Sequence, residues 1–234
     1  MLSGKVDCIF VNFPDTKALL PDCREVLHVG TPLRAEFLDE SFLRPTLPAG
    51  CEKYILCFGG SLGAKRLNSE VLSLMAIYGK QHPEICIQLA TGDRAYAEVK
   101  AEFENLGLDR YPNLLLSEYI YDMPYRMRSA DLLICRSGAM TLSEVACAGK
   151  ASILIPSPNV TNDQQTKNAS VLSDKGAAVL MRESELTKDA LADCVRELME
   201  NESKRYDMAE KVKAFAVSDA SLRIWQKIKQ LTNK

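Results

Sequence analysis

Glycine and serine residues directly after an apolar run are the first sign of chemistry in this chain. The segment "CFGGSLGAKRLN" (residues 57–68) places Gly59, Gly60, Ser61 and Gly63 between a strand pattern and a helical pattern. Glycines allow an anion to approach the backbone, and a helix N-terminus offers free N–H groups and a partial positive charge. The sequence therefore predicts a phosphate or diphosphate ligand, with a plain strand-to-helix turn as the alternative.

The glycine segment does not match the two best-known phosphate motifs. The P-loop pattern requires a glycine where Ala64 stands, and the dinucleotide pattern G-x-G-x-x-G fails because Gly59 and Gly60 are adjacent. A dehydrogenase-type dinucleotide domain is therefore a disfavoured alternative.

A second segment repeats the order of apolar run, Ser-Gly turn and helix. It is "DLLICRSGAMTLSEVACAGK" (residues 131–150), and its helix contains one acidic residue, Glu144. An unpaired buried carboxylate is costly, so Glu144 either faces solvent or accepts hydrogen bonds from a ligand. In dinucleotide folds an acidic residue binds two ribose hydroxyls, and we consider the same role for Glu144.

A third polar segment, "PSPNVTNDQQTKNA" (residues 156–169), precedes another helical pattern. Asp163 is a candidate N-cap for that helix. Gln164 and Gln165 supply neutral donors and acceptors that suit sugar hydroxyls. The alternative is a polar loop with a helix cap.

The elements that must position these segments alternate between short apolar runs and helical patterns. The runs are continuous, as expected for strands buried on both faces, and occupy residues 54–58, 85–90, 113–119, 131–136, 151–156 and 177–181. Helical patterns cover residues 68–81 and 95–107, the second ending at Gly107. The fold class is therefore α/β, a doubly wound parallel sheet. The loops after the first and fourth of these strands should face one crevice where the strand order reverses.

Composition excludes several classes of protein. The 234 residues are 47% hydrophobic and carry a net charge of -2, which gives no basic field for nucleic acid. No run of about 18 apolar residues could span a membrane, and the N-terminus lacks a signal-peptide pattern. The eight cysteines form no C-x-x-C pair, so we expect buried free thiols in a reducing cytosol. His28 and His82 are isolated, which argues against a zinc site.

The two ends of the chain differ from its centre. Residues 6–13 and 25–30 predict two strands without helices of their own, and the proline-containing residues 42–50 predict a linker. Residues 187–234 are helical and charged, and Leu222, Trp225 and Ile228 recur there at helical spacing. That apolar stripe either docks on the chain's own core or serves a partner domain.

Five motifs together resemble one family. In order they are "GTPLR", "FGGSLGAKRLN", "SEYIYDM", "CRSGAMTLSE" and "NDQQTKNA". Their order and spacing resemble the C-terminal half of the MurG family over about residues 26–200. This family transfers N-acetylglucosamine from its UDP donor to lipid I, forming lipid II for bacterial peptidoglycan. The resemblance implies a Rossmann-like C-terminal domain of the two-domain GT-B architecture, with the donor in the cleft.

The same resemblance implies roles for individual residues. The implied diphosphate-binding residues are Gly60, Ser61, Leu62 and Gly63. The implied uracil- and ribose-binding residues are Arg34, Tyr119, Ile120, Met123 and Glu144. The implied sugar- and phosphate-binding residues are Ser137, Gly138, Ala139, Met140, Thr141, Gln164 and Gln165. The chain departs from the family pattern at Thr31, where asparagine is usual, and at Leu62, where glutamine is frequent.

The resemblance also implies a division of the chain. Residues 1–34 are expected to be the end of an N-terminal acceptor domain, 35–53 a linker, 54–205 the UDP-sugar-binding domain, and 206–234 helices that pack on the missing domain. The family reaction inverts the anomeric carbon and requires a base, which we expect in the missing domain. We therefore assign no catalytic residue to this chain, expect no metal cofactor, and expect it to be inactive alone. Lipid I would bind through the missing domain, and the full protein would associate peripherally with the cytoplasmic face of the membrane. A stand-alone nucleotide-sugar-binding module or subunit is the alternative.

Overall fold

The structure is a computed structural model that describes residues 3–20, 22–39 and 44–232. The predicted linker at residues 42–50 lies partly outside the described residues, which include it only from residue 44.

A six-stranded parallel sheet forms the centre of the molecule. Its strands are β3 (Lys53–Phe58), β4 (Ile85–Ala90), β5 (Leu114–Ser117), β6 (Leu132–Cys135), β7 (Ser152–Leu154) and β8 (Val179–Leu180). Their spatial order is β5-β4-β3-β6-β7-β8. All six predicted strands are confirmed. Because β3 pairs with both β4 and β6, the order reverses between β3 and β6, as predicted.

Helices cover both faces of this sheet. They are α1 (Lys65–Ile77), α2 (Tyr96–Asn105), α3 (Met123–Ser129), α4 (Ala139–Ala148), α5 (Gln164–Ser173), α6 (Lys188–Glu200), α7 (Glu202–Lys213) and α8 (Ala220–Thr232). Helix α1 begins three residues before the predicted helical pattern, directly after the glycine turn. Helix α2 ends two residues before Gly107, which adopts φ 62°.

Alternating residues of the central strand β3 enter two separate cores. Ile55 and Cys57 pack with residues of α1, α2 and α6. Tyr54, Leu56 and Phe58 pack on the other face with residues of α3, α4 and α5. Every β3 residue from Tyr54 to Phe58 is buried, which explains why the run is continuously apolar.

The N-terminal segment forms a separate two-stranded parallel sheet. It consists of β1 (Ile9–Val11) and β2 (Val26–His28). Phe13 and Leu33 pack against the core on the α3 and α4 side of the large sheet. Glu25 and Lys227 of α8 form an ion pair at 2.5 Å. The N-terminal segment is therefore joined to the main body by apolar contacts and by α8.

The apolar stripe on α8 is exposed. Leu222, Trp225 and Ile228 are 53%, 54% and 41% exposed. Within the described part of the chain, this stripe is therefore not docked on the protein's own core. Across the same residues, no helix is long and apolar enough to cross a membrane.

The cysteines are all free thiols, but they are not all buried. Cys57, Cys86 and Cys135 are fully buried, and the other five are partly exposed. The expected burial holds for the cysteines within the strands of the large sheet.

Candidate functional site

The glycine turn after β3 leaves open space in front of its backbone. Gly60 has φ 90°, a conformation that favours glycine, and a Cβ added there would meet no atom within 4 Å. The turn closes through a hydrogen bond of 3.0 Å from the Gly63 N–H to the Gly60 carbonyl oxygen. Gly60, Ser61 and Leu62 are exposed, so a ligand can reach both the backbone and the Ser61 hydroxyl.

Helices α1 to α5, which follow the first five strands of the large sheet, all lack side-chain caps. The N-cap residues of α1, α4 and α5 are Ala64, Gly138 and Asp163, and none accepts a capping hydrogen bond with its side chain. By contrast, Thr187 and Asn201 cap α6 and α7 by accepting from backbone N–H groups. The first N–H groups of an uncapped helix need another partner, and a bound anion can supply it.

Residues 59–66 and the start of α4 line one cavity of ≈ 830 Å³. The predicted residues that line it are Gly60, Ser61, Leu62, Gly63, Gly138, Thr141 and Gln165. The two glycine loops thus face one crevice, as their positions after the first and fourth predicted strands indicated. The volume is sufficient for a nucleotide-sized ligand.

A neighbouring cavity of ≈ 440 Å³ opens at the ends of β4 and β5. It is lined by Ser61, Asp93, Ser117, Glu118, Tyr119 and Tyr121. Tyr119 is 52% exposed, and its ring lies 4.9 Å from that of Tyr121 in an edge-on arrangement. Because Ser61 lines both cavities, a ligand with an aromatic end and an anionic end can occupy both.

Ile120 and Met123 belong to the same segment but do not line either cavity. Ile120 is only 6% exposed and belongs to the core on the α3 and α4 side of the sheet. Met123 is partly buried and packs against the core.

Glu144 stands on α4 beside the N-terminal segment. It is partly buried, and burial raises the pKa of its carboxyl group, while the nearby Arg34 guanidinium opposes that shift. Among the described residues, none donates a hydrogen bond to this carboxylate. A carboxylate without a protein donor can accept hydrogen bonds from hydroxyl groups of a ligand.

The rest of the second loop is exposed in part. Ala139 and Met140 are exposed at the start of α4, whereas Ser137 is fully buried. The Ser137 hydroxyl donates to the Gln165 carbonyl oxygen at 2.8 Å. Ser137 therefore connects the second loop to the start of α5 through its side chain.

The two glutamines have different surroundings. The Gln165 side-chain oxygen accepts from the Ser157 backbone N–H at 2.9 Å, and Gln165 lines the larger cavity. Gln164 is exposed, and its amide donates to the Asn168 side chain at 3.1 Å.

The capping role predicted for Asp163 was wrong. Asp163 precedes α5, but with φ 51° its carboxylate accepts from the Thr166 hydroxyl at 2.6 Å rather than from a backbone N–H. Asn162 is also left-handed, with φ 58°. Two consecutive left-handed residues other than glycine are strained, and such strain tends to occur at ligand sites.

Sequence reasoning missed the charged groups around the larger cavity. Arg136 donates to the Ile155 and Pro156 carbonyl oxygens at 3.2 and 2.9 Å and forms an ion pair with Glu183. Arg66 pairs with Glu70 at 3.0 Å. The signal for Arg136 was its place directly before the Ser-Gly turn. The described residues contain no cluster of histidine, cysteine and acidic side chains that could hold a metal ion.

Comparisons with known proteins agree with this fold. Residues 54–224 match the glycosyltransferase family 28 C-terminal domain. The chain is 34% identical over 234 residues to the UDP-N-acetylglucosamine--N-acetylmuramyl-(pentapeptide) pyrophosphoryl-undecaprenol N-acetylglucosamine transferase of Acetivibrio thermocellus, covering 99% of this chain and 62% of the relative. It is 37% identical over 224 residues to the Shewanella frigidimarina enzyme of the same name, covering 96% and 59%.

A solved structure shows the same relation. Acinetobacter baumannii MurG is 30% identical to the chain, with a TM-score of 0.73 that covers 96% of this chain and 61% of that one. The chain therefore spans about three fifths of the length of these relatives. A dehydrogenase domain is not supported, whereas the resemblance drawn from the five motifs is confirmed. The chain belongs to glycosyltransferase family 28, among the relatives of MurG.

Proposed function

We propose that this chain is the donor-binding part of an inverting glycosyltransferase that uses UDP-N-acetylglucosamine. The observation that carries the proposal is the single crevice shared by two uncapped helix N-termini, those of α1 and α4, in a family 28 domain. The names of the relatives supply the donor and the acceptor, a lipid-linked N-acetylmuramyl-pentapeptide (lipid I).

In this proposal the diphosphate occupies the larger cavity. Gly60, Ser61, Leu62 and Gly63 bind it from one side, and the start of α4 binds it from the other. Gly138 and Thr141 line this cavity, with Ala139 and Met140 between them at the exposed end of the helix. Gln165, whose amide nitrogen remains available, and the exposed Gln164 bind the sugar.

The nucleoside lies towards β5 and the N-terminal segment. The Ile120 backbone reads the uracil, Tyr119 covers it, and Met123 supports the segment from the core. Glu144 accepts from the ribose hydroxyls, and the exposed Arg34 lies close enough to influence its charge.

The chemistry asked of this chain is stabilisation of the leaving group. An acceptor hydroxyl attacks the anomeric carbon from the face opposite the diphosphate, the bond to the diphosphate oxygen breaks, and UDP takes up the negative charge. Backbone N–H groups at two helix N-termini are already directed at the site of that charge, so they stabilise the transition state with little reorganisation.

A base must take the proton of the attacking hydroxyl. None of the residues that line the larger cavity is a histidine, and Glu183 is paired with Arg136. We therefore propose that the base and the lipid I site belong to the part of the relatives that this chain does not cover. In that arrangement residues 1–34 are the end of the acceptor half, 35–53 are the linker, 54–205 bind the donor, and the exposed stripe on α8 within 206–234 packs on the acceptor half. The complete enzyme would work at the cytoplasmic face of the membrane.

The test has two steps. Isothermal titration should show that the chain binds UDP-N-acetylglucosamine, and a transfer assay with a lipid I analogue should show no turnover by the chain alone. Addition of a separately produced acceptor half from a relative should restore transfer. Binding without restored transfer would favour the stand-alone binding module, and robust turnover by the chain alone would refute the division of labour.

A further inference from the structure

The turn after β4 lies between two parts of the proposed donor site, the glycine loop at residues 60–63 and the nucleoside segment at residues 117–121. It consists of Thr91 and Gly92, both buried. The Thr91 N–H donates to the Ser117 carbonyl oxygen at 3.0 Å, and the Gly92 N–H donates to that of Glu118 at 3.1 Å. On this side the turn is therefore tied to the segment that leads into Tyr119.

On its other side the same turn touches the glycine loop, backbone against backbone. A Cβ added to Gly92 would lie 2.3 Å from the Gly63 nitrogen and 2.6 Å from its Cα. A Cβ added to Gly63 would lie 2.1 Å from the Thr91 carbonyl oxygen. Ordinary contact for such an atom begins at 3.4 Å, so neither backbone can be displaced towards the other.

Helix α1 is joined to the same turn. Asn68, which is fully buried in the first turns of α1, donates its amide to the Thr91 carbonyl oxygen at 3.0 Å. A buried amide without this partner would carry the cost of desolvation, so the bond fixes α1 against the turn. Both the loop and the helix that follows it thus lie against Thr91 and Gly92.

We propose that the Thr91–Gly92 turn is a positioning element of the donor site. It places the glycine loop of residues 60–63 for binding a diphosphate and fixes the position of this loop relative to the nucleoside segment at residues 117–121. The inference rests on the proposed function of this crevice. Thr91 and Gly92 line neither cavity, so they act through the loop and do not touch the ligand themselves.

The variant Gly92→Ala tests this role, with Gly107→Ala as its matched control. Both glycines have positive φ, 81° and 62°, so both substitutions carry the strain of a left-handed alanine. Only the first adds a methyl group against the loop, because a Cβ at Gly107 meets nothing within 4 Å. The extra Cβ must move the loop by about 1 Å, an error that commonly impairs a preorganised site.

The readout is the dissociation constant of uridine divided by that of UDP, both measured by titration well below the melting temperature. We expect Gly92→Ala to reduce this ratio at least about tenfold by weakening UDP while uridine binding changes little. Gly107→Ala should leave the ratio unchanged. An unchanged ratio in Gly92→Ala would overturn the inference, whether both affinities are kept or both fall in equal proportion.

A second variant covers the case in which Gly92→Ala does not fold. Asn68→Ala removes the amide that holds the Thr91 carbonyl and should reduce the same ratio, although less strongly. An unchanged ratio in a folded Asn68→Ala protein would then overturn the inference. If the wild-type chain binds no UDP at all, the proposed function fails first, and this inference with it.

Discussion

The substitution Glu144→Gln should weaken UDP binding by about ten- to a hundredfold while leaving the fold intact. In the proposed site the carboxylate accepts from two ribose hydroxyls, and glutamine keeps only one acceptor oxygen. A hydrogen bond to a charged group contributes about 1.5–3 kcal/mol, and each 1.4 kcal/mol corresponds to about a factor of ten in the dissociation constant. Loss of one such bond gives the expected range.

This substitution is a suitable test because, among the described residues, none donates a hydrogen bond to the Glu144 carboxylate that the change would remove. Burial raises the pKa of its carboxyl group, and Arg34 is the charge that opposes the shift. When folding raises the pKa of a carboxyl group, the free energy of unfolding decreases as the pH rises from the ordinary pKa of that group through the raised pKa. Glu144→Gln should remove this penalty, so the variant should be at least as stable as the wild type at neutral pH. Because the ligand needs the carboxylate, wild-type UDP affinity should fall as pH drops through the raised pKa.

The assay is a titration of both proteins with UDP and with its 2′,3′-dideoxy analogue, at pH 7.5 and again at lower pH, with thermal melts alongside. The wild type should prefer UDP strongly over the analogue, and Glu144→Gln should lose most of that preference. A variant that keeps the wild-type preference for UDP would refute the ribose role of Glu144. So would a variant that loses affinity for both ligands equally, because its defect would not lie at the hydroxyls.

Three further changes test other parts of the account. Leu62→Gln, at an exposed residue of the glycine loop, should strengthen UDP binding by about three- to tenfold through one added hydrogen bond, measured by titration; weaker binding would contradict this. Arg136→Ala should lower the free energy of unfolding by about 3 kcal/mol in urea melts, because Glu183 is left without its partner; an unchanged midpoint would contradict this. Trp225→Ala should change the unfolding free energy by less than about 1 kcal/mol, because this side chain is 54% exposed; a larger loss would mean that α8 docks on the chain's own core.

The fold was largely accessible from the sequence because its strands are buried on both faces. Continuous apolar runs between helical patterns are typical of a parallel sheet, and each of the six runs contains a strand. The ends of elements were less accessible. The run at 113–119 yields only Leu114–Ser117, because the chain leaves the sheet there to form the segment that carries Tyr119.

The parts of the site that depend on local sequence order could be predicted, whereas the parts that depend on long-range contacts could not. Glycine turns after the first and fourth predicted strands predicted one crevice, because the carboxyl ends of parallel strands lie at one edge of the sheet. The role of the turn at Thr91 and Gly92 could not be predicted, because its contacts join three separate loops. The error at Asp163 has a similar origin, since nothing in the local sequence demands its left-handed backbone.

A crystal structure of the chain with UDP would test the central claim most directly. The account predicts a diphosphate between residues 60–63 and the start of α4, with the ribose hydroxyls on Glu144 and the uracil beside Tyr119 and Ile120. UDP bound elsewhere on the molecule, or an empty crevice at a saturating UDP concentration, would contradict it.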